Sequence, residues 1–472
     1  MSITKPPDAV TGARLGAPLL ALAAAQLVIA LDFSIVYVAL PGIRSALGFS
    51  AQDLQWVVSA YVVATGGLLL LGGRATDLLG RRRMFVLAAL LYAASSLVGG
   101  LSESAGTLVA VRAVQGLGGA LLFPATLSLI NTVYAEGPAR NRALAVWGAA
   151  GAGGLCFGSL LGGALVQLFG WQAVFFVNVP LAGAIALAGH LLFPADTRRP
   201  ARGGFDILGA LTATAGITLL VFVLVRAPET GWRTRETALL ALTALALTAI
   251  FVVVESRSRA PLVPPRLFAR RGLVGAMALT ALYGATFSST PYFLTLYFQT
   301  LHRYTAFGTG LAFLVPAVIV AIGARLGAKA VSRFGLHRTL LGGMLAGAAG
   351  ALTLGPALAD SGSYPPLLPG LLLLSLGQGI GWTAMWIAAA AGVAPDDQGI
   401  ASGLASTTLQ VGGALGLAIL VASANSITGS AGAGPLDGIR TAVHLIAAGL
   451  CCGALMVLAQ RRTHIPPTGP AR

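Results

Sequence analysis

A chain of 472 residues that is 56% hydrophobic, only 10% charged and has a mean hydropathy of +0.84 cannot fold as a water-soluble globule, since soluble domains carry about 25% charged residues. It is also too apolar for disorder, so the composition implies an all-α polytopic membrane protein. The net charge of +15 would suit a nucleic-acid binder. However, the basic residues fall in short clusters between apolar runs, as cytoplasmic loops do, and nucleic acid is excluded as a partner.

A bilayer core about 30 Å thick needs about 20 apolar residues per helix. Fourteen runs meet that need: 17–40, 53–73, 84–101, 106–131, 142–167, 171–193, 205–226, 237–254, 273–298, 306–328, 337–358, 366–390, 400–426 and 438–460. The first is too long for a signal-peptide core and lacks a cleavage site, so it stays as a span. Pro124, Pro180, Pro291 and Pro316 lie inside runs and should bend them.

Alternate loops are basic. One set holds Arg81, Arg82 and Arg83, then Arg140 and Arg142, Arg198 and Arg199, Arg270 and Arg271, and Lys329, Arg333 and Arg338. The other set is nearly neutral, so the first faces the cytoplasm, as do both termini. Only Lys5 and Lys329 among the 30 basic residues are lysine. With heavy Ala and Gly usage this suggests a GC-rich bacterium, and the expected location is its cytoplasmic membrane.

The expected organisation is a cytoplasmic tail (1–16), a six-helix bundle (17–193), two inserted transmembrane helices (205–254), a cytoplasmic linker (255–272), a second six-helix bundle (273–460) and a cytoplasmic tail (461–472). Repetition supports the two bundles. Gly73 … Asp77 … Gly80-Arg81-Arg82-Arg83 follows the second run, and Ala328 … Ser332 … Gly335-Leu336-His337-Arg338 follows the tenth. Two related halves around a midplane site describe a rocking secondary transporter.

No catalytic constellation is present. The histidines are scattered, no phosphate-binding Gly-Lys-Ser/Thr loop exists, and Cys156, Cys451 and Cys452 have neither metal-ligand nor disulfide spacing. No enzyme, cofactor or metal site is expected, and energy must come from an ion gradient. Of fifteen acids only Asp32 lies well inside an apolar run. A buried carboxylate costs about 3 kcal/mol or more and normally faces a cavity or partner. Burial disfavours its charged form, which lets such a group take up and release a proton. Arg112, also inside a run, is its expected partner. Asp32 is roughly 12 Å and Arg112 roughly 9 Å from the same surface, at 1.5 Å per residue.

Gly154, Gly158 and Gly162 recur every four residues and form a small-residue face for close helix packing. Gln378, Trp382 and Trp386 share one helix face, and Tyr283 and Phe287 lie in the ninth run. Such rings can hold flat or cationic molecules by stacking and cation–π contact. These five, with Tyr37 and Gln115, form the candidate substrate-binding set.

The motifs resemble those of the 14-helix drug–proton antiporter branch of the major facilitator superfamily. Leu31-Asp32 … Leu40-Pro41, Gln55-Trp56 … Tyr61, Gly73 … Asp77 … Gly80-Arg81, Arg112 … Gln115-Gly116, Phe205-Asp206 and Gly399 … Gln410 … Gly413 occur in that branch's order. The resemblance implies two six-helix bundles plus two inserted helices, gating by Gly73, Asp77, Gly80 and Arg81, and proton coupling by Asp32 and Arg112. Two departures stand out: Gly158-Ser159 replaces the usual Gly-Pro, and Trp171-Gln172-Ala173 replaces Trp-Arg-Trp. The expected function is proton-driven export of drugs, antibiotics or amphipathic metabolites by a monomer in the lipid bilayer. The alternatives are a facilitator or proton symporter for a small polar solute, or a membrane-embedded sensor.

Overall fold

The computed structural model describes residues 16–134, 138–196, 207–231, 233–258, 270–359, 363–391, 398–428 and 434–460. Among these residues the chain is helical with short connections and no strands. The helices are α1 (Gly16–Leu47), α2 (Trp56–Leu79), α3 (Arg81–Gly100), α4 (Ala105–Val133), α5 (Pro138–Phe169), α6 (Ala173–Leu192) and α7 (Ile207–Thr230). They continue with α8 (Arg235–Arg257), α9 (Gly272–Leu301), α10 (Ala306–Phe334), α11 (Leu336–Ala357), α12 (Leu368–Ala390), α13 (Gln398–Thr428) and α14 (Pro435–Gln460).

Each apolar run of the sequence coincides with one helix. Eleven are long and apolar enough to cross a membrane; α2, α5 and α7 are helices in the three remaining places. The first run was expected to stop at Leu40, before Pro41. Instead α1 continues through Pro41 to Leu47 and ends at Gly48, whose φ of +68° carries the chain out of the helix. Ser104, Thr234 and Thr305 cap the starts of α4, α8 and α10 by accepting from backbone N–H groups of their first turns. α9 is irregular: it tightens to 3₁₀ geometry over Phe287–Ser289, just before Pro291, and widens to π geometry over Leu296–Leu301.

The packing has an internal symmetry of eight helices. In the first half α1 lies on α4, α5 and α6, α4 on α2 and α3, and α3 on α6. In the second half α9 lies on α12, α13 and α14, α12 on α10 and α11, and α11 on α14. The halves meet along two seams, α2 with α13 and α5 with α10, which the same shift interchanges. The turns that repeat in the sequence also match, with Gly80 at φ +107° and Gly335 at φ +82°. α7 packs on α8 and covers the α2–α13 seam, whereas α8 presents Leu239, Leu242, Leu245 and Val252 outward.

Glycines set the helix spacing. A Cβ at Gly154, Gly158 or Gly162 would lie 2.6, 2.0 or 2.6 Å from α1 atoms (Leu27 O, Ser34 Oγ and Ile35 Cγ1). The second half repeats the device where Gly412 and Gly416 meet Ala281 and Ala285 of α9. Gly158→Val should therefore destabilise the α1–α5 contact by about 1–3 kcal/mol, as overpacked cores do. Gly153→Ala, where a Cβ meets nothing within 4 Å, should leave the thermal midpoint in detergent unchanged. Equal midpoints for the two variants would refute the account of the glycine face.

Candidate functional site

Asp32 lies midway along α1, wholly buried inside the first half. Arg112 Nη1 donates to its Oδ2 at 2.7 Å. Its Oδ1 accepts from Gln115 Nε2 at 3.0 Å and from Asn178 Nδ2 at 2.8 Å. One carboxylate thereby joins α1, α4 and α6. The guanidinium is held as well: Nε donates to Val57 O of α2 at 2.8 Å, Nη1 reaches Gln115 Oε1 at 2.6 Å, and the Tyr61 ring lies 4.4 Å from its carbon. Gln115 also donates to Ser96 Oγ of α3 at 2.9 Å.

The spacing explains the geometry. Arg112 and Gln115 are three apart and share one face of α4. Gly116, the next residue, lets α2 approach, since a Cβ there would lie 2.5 Å from Tyr61 O. Ser34, one half-turn beyond Asp32, lies 3.2 Å from Leu31 O and Gly154 O and ties this part of α1 to α5. An ion pair taken out of water is tolerable only when its remaining hydrogen-bonding capacity is satisfied, and Gln115, Asn178 and Val57 O perform that task.

The α2–α3 turn has a different construction. Asp196, just beyond α6, accepts from Arg82 N at 3.1 Å and Arg83 N at 3.0 Å. It caps α3 from 113 residues away, where the helix N-terminus favours negative charge. A Cβ on Gly80 would come within 2.4 Å of that carboxylate. Arg82 Nη2 is 3.2 Å from His190 Nδ1, and Arg81 donates to Thr132 Oγ1. Of the expected gating residues, Gly80 and Arg81 are in this turn. Gly73 is a looser contact, 3.9 Å from Pro124, while the close approach to α4 is made by Gly72 against Ala120 O. The side chain of Asp77 lies outside the described residues.

Five of the expected substrate residues, Tyr283, Phe287, Gln378, Trp382 and Trp386, lie together in the second half, whereas Gln115 and Tyr37 lie elsewhere. Gln115 is wholly buried and its amide is occupied by Asp32, Arg112 and Ser96. Tyr283 and Phe287 are buried in the second half, where Tyr283 Oη donates to Gln378 O at 3.0 Å. Trp382 is 37% exposed and its ring centroid is 5.9 Å from Tyr283 and 5.7 Å from Trp386. Tyr37 is the member at the seam between halves, donating to Ser288 O of α9 at 3.2 Å. Further bonds between halves run from Gln299 Nε2 to Val38 O at 2.9 Å and from Asn425 to Gln52. All are near the end of the molecule where α1 joins α2.

Sequence reasoning missed Asn178 and Asp196. An uncharged amide in the run Phe176-Val177-Asn178-Val179-Pro180 carries no charge signal, and Asp196 reads as an ordinary loop acid until the fold brings it to α3.

Residues 22–417 match the major facilitator superfamily. The chain belongs to that superfamily. Its members are transporters, not enzymes. The chain is 38% identical to the cephamycin export protein CmcT of Amycolatopsis lactamdurans, over 87% of this chain and 84% of that protein. It is 37% identical to the puromycin resistance protein of Streptomyces alboniger, over 85% and 80%. It is 36% identical to the lincomycin resistance protein of Streptomyces lincolnensis, over 93% and 90%. The fold matches a POT family transporter solved with 5-aminolevulinic acid, with a TM-score of 0.72 at 14% identity, covering 94% of this chain and 96% of that one.

Three substitutions probe these sites. Arg112→Met strands a buried carboxylate and should cost about 3–5 kcal/mol, read as a large fall in thermal midpoint. Arg112→Met combined with Asp32→Asn should recover most of it. Asp196→Ala should cost about 1 kcal/mol through loss of the α3 cap and raise amide exchange at Arg82 and Arg83. An Arg112→Met protein as stable as its parent would refute the ion-pair account of the site.

Proposed function

We propose that the protein is a proton-coupled exporter of amphipathic drugs or antibiotics across the bacterial cytoplasmic membrane. The observation that carries this reading is the Asp32–Arg112 ion pair, wholly buried among α1, α2, α4 and α6 and bridged by Gln115 and Asn178. A carboxylate at that depth, with a partner that can be withdrawn, is what proton carriage requires. The relatives that export or resist cephamycin, puromycin and lincomycin give the direction of transport and the substrate range.

In this reading the chain crosses the bilayer fourteen times as six, two and six helices. The basic α2–α3 end and both termini are cytoplasmic. The seam closed by Tyr37, Gln299 and Asn425 is then the external gate. A proton reaching Asp32 weakens its hold on Arg112 and loosens the joint between α1, α4 and α6. Loss of that proton to the cytoplasm restores the ion pair and resets the bundle. Gly80, Arg81 and the Asp196 cap hold the cytoplasmic turn on which the halves pivot, and Trp382 and Trp386 contribute stacking surface for substrate. Proton entry drives the exit of substrate in each cycle, and no cofactor is needed. The unit is a monomer.

Inside-out vesicles with an imposed pH gradient provide the test. Puromycin added to vesicles containing the intact protein should cause proton release, and Asp32→Asn should abolish it. The Asp32→Asn/Arg112→Gln double variant removes both charges, and by the same reading it folds but moves no protons. Puromycin-dependent proton release from a properly inserted Asp32→Asn protein would exclude Asp32 as the carrier.

A further inference from the structure

Between the two halves, where α1 and α2 meet α9 and α13, lies a cavity of about 10 Å³, the room needed for one water-sized group. Phe33, Tyr37, Ser59, Ser288, Ser289 and Gln410 are in its wall. Ser59 is fully buried and Ser289 is 1% exposed, and neither hydroxyl oxygen has a hydrogen-bond partner. A buried hydroxyl without a partner costs about 1–3 kcal/mol, so two facing one small cavity from opposite halves form a site with unmet demand.

The backbone is specialised at the same point. α9 leaves α-helical geometry at Phe287–Ser289, and the freed Ser288 carbonyl accepts from Tyr37. At membrane depth irregular backbone is tolerated where it lines a cavity. Gly66 makes space for the remaining polar side chain, since a Cβ there would lie 2.6 Å from Gln410 Cβ.

Among the described residues the wall has no charged side chain. Asp32 precedes Phe33 in the chain, but its carboxylate is committed to Arg112, Gln115 and Asn178 inside the first half. A cation seated at the seam would lose its water without gaining a counter-charge, which is strongly unfavourable.

We propose that this cavity is the seat for one uncharged hydrogen-bonding group, a hydroxyl or carbonyl, at the tip of the exported molecule. Ser59 and Ser289 read that group, and no charged group of the molecule enters the seat. This inference rests on the export reading and narrows its substrate class. Because the two serines belong to opposite halves, rocking draws them apart and releases the group, which ties affinity to the conformational cycle.

The test is equilibrium binding to purified protein in lipid nanodiscs, followed by vesicle uptake. The probes are chloramphenicol, which is uncharged and bears hydroxyls and an amide, and tetraphenylphosphonium, a permanent cation without hydrogen-bonding groups. Chloramphenicol should bind, and the Ser59→Ala/Ser289→Ala variant should bind it about tenfold more weakly, as loss of two hydrogen bonds implies. Tetraphenylphosphonium has no group for the seat, so the double variant should bind it as the parent does. Thermal midpoints of the variants establish that they are folded. Absence of chloramphenicol binding, chloramphenicol binding unchanged in the double variant, or an equal loss of tetraphenylphosphonium binding in that variant would each overturn the proposal. Serine-dependent binding without proton-driven vesicle uptake would support the seat and overturn the export reading instead.

Discussion

Everything in the first half is arranged around a single unfavourable act, the removal of two opposite charges from water. An isolated carboxylate or guanidinium inside a bilayer is expensive, and a bare ion pair does not recover the whole loss. Asp32 and Arg112 are therefore enclosed by neutral donors and acceptors contributed by three helices, α2, α4 and α6, with the Tyr61 ring against the guanidinium. Such a network stabilises one arrangement of α1, α2, α4 and α6, because the hydrogen bonds that satisfy the buried charges also tie these helices together.

The glycine faces supply the complementary requirement. Helices that must slide or tilt without opening voids need contacts that are close and lack interlocking side chains. α5 meets α1 in that way, α13 meets α9 likewise, and Gly163 and Gly310 carry it across the α5–α10 seam. The usual proline beside Gly158 is replaced by Ser159, and α5 is one continuous helix from Pro138 to Phe169. Irregularity resides in α9 instead, across the seam from Tyr37.

Much of this architecture was legible from residues alone, for definable reasons. Length and apolarity mark a bilayer helix, and a carboxylate in such a run is conspicuous because it is so costly. Asp32 and Arg112 stood out on that ground, and matched depth suggested their pairing. The supporting groups were silent. Asn178, Ser96, Ser59 and Ser289 are neutral and common, and they acquire meaning only through what packs beside them. The Asp196 cap depends on a contact between α6 and α3 that no local pattern encodes. Aromatic residues were ambiguous for a related reason. Tyr283 and Phe287 have the composition of a binding face and lie buried in the second half with Tyr283 against Trp382, and a large ring serves a core as well as it serves a ligand.

The inserted pair breaks the twofold relation between the halves. α7 lies against α2 and α13 and roofs one seam, while among the described residues no such helix accompanies the α5–α10 seam that symmetry makes its equal. The molecule thus has two unlike flanks: one seam is a three-helix wall and the other a two-helix joint, so the pseudo-symmetric halves present different surfaces to their surroundings.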